Sequence, residues 1–273
     1  MRICKMRGAG RSAWCVAIGA VSLGACAHLG APGPVVADRP GYTDTPTALP
    51  ARAIQLEAGV TDDQTGDAFL RTTTVTTGEV LARVGVGAQT ELRFFGNSYD
   101  LRSGGGSPTV RGLEDFKLGA KVNLRAKPDS VHSWAPNVAV LAATTSPTGS
   151  NAFSAGVAQA EVKLAANWTT ASPFSLYANV AYSGTYSDFT RQGKGWTSAA
   201  GWWALNPRVS LFGEAYVFTL AGDQNGSFGG GDVDAGVTYL VNDRLQLDAR
   251  VGHGVIGLAS DERFIGVGFA RRW

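Results

Sequence analysis

Asp115-Phe116-Lys117-Leu118-Gly119-Ala120-Lys121-Val122-Asn123-Leu124-Arg125 is the stretch on which the fold turns. Phe116, Leu118, Ala120, Val122 and Leu124 alternate with Asp115, Lys117, Gly119, Lys121, Asn123 and Arg125. In an extended strand a period of two places these two sets on opposite faces. A soluble sandwich packs the apolar set inward and leaves the charged set in water. A membrane barrel turns the apolar set to lipid and the charged set to its lumen. The strand alone fits both arrangements, so the rest of the chain decides.

The chain has 273 residues, 36 of them Gly, and a formal charge of +2. Modest charge and abundant Gly suit many strands and turns. No uninterrupted apolar run approaches the roughly 18 residues of a spanning helix. The first residues differ from the rest. Arg2, Lys5, Arg7 and Arg11 precede an apolar core from Ala13 to Ala25, the layout of a secretory signal over residues 1–25. Leu23-Gly24-Ala25-Cys26 resembles a bacterial lipobox, which makes Cys26 a candidate for lipidation. The alternative is ordinary cleavage after Val35-Val36-Ala37, with Cys26 discarded.

Removing this leader reverses the charge. From Asp38 onward there are 20 basic and 22 acidic residues, formally −2, so the basic precursor gives no reason to expect a nucleic-acid partner. Cys4, Cys15 and Cys26 are the three cysteines, and all lie in the leader. An exported domain without disulfides needs another device to hold it, and a closed sheet is one.

Residues 26–50 carry Pro40, Pro46 and Pro50 and read as an extended periplasmic tether. Alternation begins at Ile54 and recurs in twelve runs to the end of the chain. The second run spans Phe69 to Val86, the third starts at Glu91 and the fourth is the stretch quoted above. Later runs cover Pro136 to Thr145, then Gln159 to Leu164, Leu176 to Tyr182 and Gly195 to Ala204. Val209 to Thr219, Asp232 to Val237, Leu245 to Val251 and Phe264 to Trp273 complete the set. Connections after runs 2, 6, 8 and 10 are short, and those after runs 3, 5 and 9 are longer or richer in Gly. The connection after run 4 breaks this alternation. Short turns at one end and long loops at the other are expected of an outer-membrane barrel. Ile265, Val267 and Phe269 share a face in a chain ending on Trp273, as in a C-terminal insertion signal, although Arg271 interrupts the row. Such a signal implies engagement by the barrel-assembly machinery. The expected fold is all-β: an antiparallel transmembrane barrel of about twelve strands over residues 51–273. Both termini are expected in the periplasm.

The order of short motifs along the chain resembles the transporter family associated with the meta-cleavage pathway of phenol degradation. These are Asp38-Arg39-Pro40, Gln55-Leu56-Glu57, Gly112-Leu113-Glu114-Asp115 and Lys117-Leu118-Gly119-Ala120-Lys121. Pro147-Thr148-Gly149, Asp234-Ala235-Gly236-Val237-Thr238-Tyr239-Leu240, Leu245-Gln246-Leu247-Asp248 and Gly266-Val267-Gly268-Phe269 follow. The resemblance implies a bacterial outer-membrane barrel and suggests transport. It names no solute.

Charges on a lipid face cost about 2–4 kcal/mol each for Arg or Lys at the midplane, so the charged positions are assigned to the lumen. They are Glu57, Glu79, Arg83, Glu91, Arg93, Asp115, Lys117, Lys121, Arg125, Glu161, Lys163, Glu214, Asp232, Asp234, Asp248 and Arg250. They serve either as a polar pathway for solutes or as cross-strand pairs that fill the barrel. Glu91 and Arg93 are placed to pair with Lys117 or Lys121. Trp168, Trp202, Trp203 and Trp273 lie near strand ends and are expected to anchor the barrel at the membrane interface. No catalytic residue, metal ligand or cofactor site is expected, because the motifs for phosphate, zinc or nucleophilic chemistry are missing. Three functions follow in order. The first is a passive outer-membrane channel for small solutes, aromatic or hydrophobic compounds among them, through a narrow charged lumen. The second is a structural or surface-binding barrel closed by its own salt bridges, and the third a hydrolase using His253 and a nearby Ser. Membrane lipids are expected partners in every case.

Overall fold

The computed structural model describes residues 33–67, 70–125, 135–169, 173–185, 193–219 and 228–273. The expected signal peptide, Cys26 and the first part of the expected tether lie outside the described residues, as does the Arg125 side chain.

The strands are β1 (Ile54–Thr65), β2 (Thr72–Thr77), β3 (Leu81–Gly85), β4 (Thr90–Phe95) and β5 (Tyr99–Gly104). They continue with β6 (Ser107–Leu113), β7 (Phe116–Arg125), β8 (Asn137–Ser146), β9 (Gln159–Thr169) and β10 (Phe174–Thr185). The last are β11 (Lys194–Ala204), β12 (Val209–Thr219), β13 (Phe228–Asn242), β14 (Leu245–Gly257) and β15 (Arg263–Arg272). Neighbours from β7 to β15 pair antiparallel in chain order, and β15 closes on β1 from Gln55↔Arg272 to Gln64↔Arg263. Closure leaves no sheet edge along the wall, so backbone donors and acceptors are satisfied between strands, as a membrane requires.

Among the described residues, fifteen segments make twelve barrel strands. β1 pairs with β3 at its start and with β2 further on; β3 then pairs with β4, and β2 with β5. β2–β3, β4–β5 and β6–β7 are therefore three barrel strands, each interrupted once. The expected single run from Phe69 to Val86 breaks at Gly78, whose φ is +67°. The expected loop Ser103–Pro108 is the tip of the β5–β6 hairpin, where Gly104, Gly105 and Gly106 adopt φ of +94°, +63° and +71°. Only Gly enters that region without strain, so turn chemistry rather than periodicity sets this corner.

The quoted stretch resolves as the membrane arrangement. Leu118, Val122 and Leu124 of β7 are exposed, whereas Lys121 and Asn123 are buried. Along most of the wall the inward row is polar or small in its middle and the outward row is apolar; Asp62 on β1 and Arg111 on β6 stand in outward rows towards the loop rim. Soluble sheets show the reverse. Both ends of the strand set open on one rim, here called the terminal rim. There β13 and β14 are joined by Asp243 and Arg244 alone; at the opposite, loop rim, residues 147–158 join β8 to β9.

The segment read as an external tether occupies the interior. Asp38, Thr43, Asp44, Thr45 and Leu49 are all buried, held by inward side chains from strands all around the wall. Its prolines keep it extended, as expected. Its polar groups make it a plug, because the inward rows offer them partners that water would otherwise supply.

Candidate functional site

The site is the lumen and the plug across it. Four carboxylates, Asp38 and Asp44 on the plug with Glu57 and Glu91 on the wall, meet four cations, Arg83, Arg93, Lys121 and Lys163. Arg83 is fully buried. It reaches Glu57 at 3.0 Å and Glu91 at 2.9 Å, and donates to the carbonyls of Val36 and Thr47 at 3.0 Å each. Lys121 lies 3.1 Å from Asp38, Arg93 bridges Asp38 and Asp44, and Lys163 pairs with Asp44. The wall's part of this cluster carries two more cations than anions, and the plug's two aspartates balance it. Burial alone would raise the Asp38 carboxyl, but Arg83, Lys121 and Arg93 hold it well below the usual carboxylate range. Asp44 is lowered in the same way: Lys163 and Arg93 outweigh its burial and the nearby Asp38 charge.

Backbone contacts pin the rest of the plug. The Asp38 and Arg39 amides donate to Glu57 at 3.0 Å, and the Tyr42 amide donates to Glu214 at 2.7 Å. Thr43 Oγ1 contacts Ser198 Oγ at 2.7 Å and also Glu214. Asn179 brackets Asp44, accepting from its amide at 2.8 Å and donating to its carbonyl at 3.1 Å. The Leu49 amide donates to Glu91 at 2.8 Å, and Asn123 donates to the Pro46 carbonyl at 3.0 Å. Arg39 reaches Glu79 at 2.8 Å and Asp248 at 3.4 Å. Its guanidinium lies over Gly59 and Gly268, paired across β1 and β15, where any Cβ would strike it. Two facing glycines thus form the notch that admits an arginine.

Cavities lie on both sides of the plug. The larger, about 360 Å³, opens between plug residues 38–44 and wall residues including Glu79, Phe95, Glu114, Asp115, Lys117 and Arg250. Lys117 pairs with Glu161 at 3.0 Å, a contact the sequence reading did not foresee, having matched Lys117 with β4. Asp115 also accepts the amides of Gly149 and Ala155 at 2.9 Å each, so it ties down the 147–155 loop. The smaller cavity, about 170 Å³, lies towards the terminal rim. Val35, Val36, Ala37, Tyr177, Trp202 and Gln246 are among its lining residues.

Aromatic rings line both regions. Tyr42 of the plug stacks on Tyr216 at 4.7 Å, and the Arg250 guanidinium stands over Tyr42 at 4.9 Å and over Phe264 at 5.0 Å. Lys163 stands 4.3 Å from the Trp196 ring. Near the terminal rim Trp202 stacks on Phe212 at 4.9 Å and meets Tyr177 at 6.3 Å. Trp202 was expected at the membrane interface; it turns inward instead. Adjacent Trp residues on a strand face opposite ways, and it is Trp203, 56 % exposed, that faces out. Trp273 is equally exposed, and Trp168 shares the outward row of Leu164. Phe212 and Tyr216 were missed as interior rings, although they share Glu214's parity on β12 and Glu214 was assigned inward.

Asp232, Asp234 and Asp248 are buried among the inward rows, and Arg250 lies 3.6 Å from Asp234. His253, which a hydrolase reading needs, sits on β14 with Nδ1 2.7 Å from the Glu262 carbonyl, and is exposed. No group of three potential metal ligands converges among the described residues.

Geometry of this kind defines a class, the closed twelve-stranded antiparallel β-barrel of outer-membrane type. The chain belongs to the family described as "Putative MetA-pathway of phenol degradation", whose profile matches residues 37–273. An outer membrane channel from Pseudomonas putida F1, solved by crystallography, has a similar fold with a TM-score of 0.65 at 14% identity, covering 86% of this chain and 99% of that one. The NanC porin, at TM-score 0.49 and 9% identity, covers 78% of this chain and 98% of that one. The KdgM porin in complex with disordered oligogalacturonate has a TM-score of 0.48 at 8% identity, covering 80% of this chain and 98% of that one. A search of curated proteins finds no match.

Proposed function

We propose that this chain is a bacterial outer-membrane channel for small solutes, with both termini in the periplasm and its lumen throttled by its own residues 35–50. The observation that carries the reading is the pair of cavities, about 360 Å³ and about 170 Å³, on either side of a plug held by polar contacts. A segment anchored by ion pairs and hydrogen bonds can exchange them for water one at a time, whereas an apolar plug could not. The charged wall, with both signs present, supports weak ion selectivity. The inward rings Tyr177 and Trp202 support aromatic or other partly hydrophobic solutes as cargo, since each offers a flat apolar face beside a polar handle. Membrane lipids surround the barrel, and the assembly machinery recognises its last strand. Liposome swelling tests the channel: purified protein should admit small sugars or phenols faster than empty vesicles do. Permeability equal to that of empty vesicles would overturn it.

A second reading rests on one observation, the charge balance of the central cluster. A neutral, fully buried network braces a barrel whether or not anything passes. In that case the plug is permanent and the barrel structural, and the swelling experiment separates the two.

A further inference from the structure

Towards the terminal rim, one outward position breaks the apolar face of the last strand. On β15 the outward row reads Arg263 at the loop rim, then Ile265, Val267, Phe269 and Arg271, with Trp273 just beyond the strand. The cross-strand neighbours of Arg271 are Leu245 and Leu56, in the same outward rows. A guanidinium facing lipid costs most at the bilayer midplane and almost nothing at headgroup level, which fixes the depth of Arg271. The adjacent strand agrees. Its outward row runs from Leu245, opposite Arg271, to Val255, which at ~3.4 Å per residue and a tilt near 40° spans about 26 Å, the full apolar band. Arg271, level with Leu245, lies at the end of that band.

A second arginine converges on the same level. Arg244, exposed in the two-residue turn between β13 and β14, joins Arg271, Trp273, Leu245, Asn242 and Arg272 around a cavity of about 260 Å³. Arg272 turns into the barrel, where it donates to the carbonyls of Gly33 and Pro34. Arg244 and Arg271 enter none of the ion pairs found among the described residues. The turn's own carboxylate, Asp243, does not line the cavity. The Arg271 guanidinium lies 5.1 Å from the Trp273 ring centroid, which orients it along the rim.

We propose that Arg244, Arg271 and Trp273 form a binding site for the phosphate of an anionic phospholipid at the terminal rim. Two guanidiniums offer a fork of donors matched to phosphate oxygens. Trp273 and Leu245 supply the apolar wall that a glycerol backbone and its first acyl carbons require, which a free phosphate ion does not use. Two unpaired positive charges favour a headgroup with net negative charge over a zwitterionic one, whose ammonium they repel.

The test is native mass spectrometry of the purified full chain in detergent, titrated separately with phosphatidylglycerol and phosphatidylcholine. The expected result is one retained phosphatidylglycerol per barrel and weak retention of phosphatidylcholine. From the usual strength of basic residues at anionic surfaces, each Arg→Gln change should weaken retention about fivefold, and Arg244→Gln/Arg271→Gln about 25-fold. Arg271 lies in the strand that directs assembly, so Arg244→Gln, in an exposed turn, carries the test if Arg271→Gln fails to fold. Brominated phosphatidylglycerol should also quench the Trp273 signal, measured as the difference from Trp273→Phe. Unchanged retention in Arg244→Gln, equal retention of the two lipids, or displacement of the lipid by millimolar inorganic phosphate would each overturn the proposal.

Discussion

Asp38→Asn perturbs the plug at its most heavily loaded residue. The carboxylate serves Arg93, Lys121 and Arg83 at once, inside a cluster in which four anions balance four cations. The amide keeps the side chain's size and can still accept from the Thr45 amide, so packing is preserved and charge alone is lost. With the plug docked, the variant leaves one buried cation uncompensated; undocked, water fills the space and the cation is solvated. Breaking one partner of a buried pair costs about 3–5 kcal/mol. The lower figure, at ~1.36 kcal/mol per tenfold, raises the undocked fraction roughly 150-fold. Planar-bilayer recording reads this as more frequent large-conductance openings in Asp38→Asn than in wild type. Conductance indistinguishable from wild type, in a variant that keeps its heat-modifiable gel migration, would refute the reasoning. Acid acts on the same group with a known sign. The docked carboxyl is held below the ordinary aspartate range, so its contribution is complete above that range and is lost only as pH falls through the lowered value. Wild-type conductance should therefore stay flat from about pH 7 to about pH 5.

Gly268→Val fills the notch that seats Arg39, and its side chain would also meet the Ala58 carbonyl at 2.6 Å. Overpacking of this kind costs about 1–3 kcal/mol, and a buried reporter, Thr45→Cys, should react faster with maleimide in this background. In vesicles of brominated lipid, Trp203 should be quenched and Trp202 should not; comparing Trp202→Phe with Trp203→Phe assigns the signals. Glu262, in the turn between β14 and β15, is pushed up to about 8 by burial and by a hydrogen bond to and the charge of Asp63, with Asp232 adding to it. A raised carboxyl contributes stability below its ordinary range and loses it as pH rises through the folded value. Wild-type melting temperature should fall between about pH 5 and about pH 8 relative to Glu262→Gln, and parallel profiles would rule this out.

The barrel was legible because its code is local. The alternation in Phe116–Leu124 survives whatever the neighbours are, and twelve such runs give twelve barrel strands. What failed was punctuation. Gly78 and the Gly104–Gly106 corner interrupt or reverse strands through backbone conformation, which leaves no mark on hydrophobic period. Charged inward positions were readable from the cost of placing them in lipid, and Glu91 was expected to meet Lys121, which it does at 3.5 Å. Arg93 was set against the same lysines, a pairing of like charges, and takes carboxylate partners instead. Those partners turned out to include Asp38 and Asp44, far away in sequence, in a segment whose prolines suggested only that it was extended. Nothing local distinguishes a polar extended segment outside a barrel from one inside it. The local surplus of two cations on the wall around the plug does distinguish them, and that surplus emerges only when strand register brings Arg83, Arg93, Lys121 and Lys163 together. Trp202 shows the same limit at smaller scale: two adjacent tryptophans must face opposite ways, and register decides which faces in.

The most direct test locks the plug in place. Thr43 and Ser198 touch through their hydroxyls at 2.7 Å, so Thr43→Cys/Ser198→Cys places two thiols within bonding range of plug and wall. Single-channel conductance is then recorded with the disulfide oxidised and again after reduction. The expected result is a low, invariant conductance when oxidised and the return of large openings on reduction. Identical traces in the two states, with the disulfide verified by mass spectrometry, would contradict control of the lumen by residues 35–50.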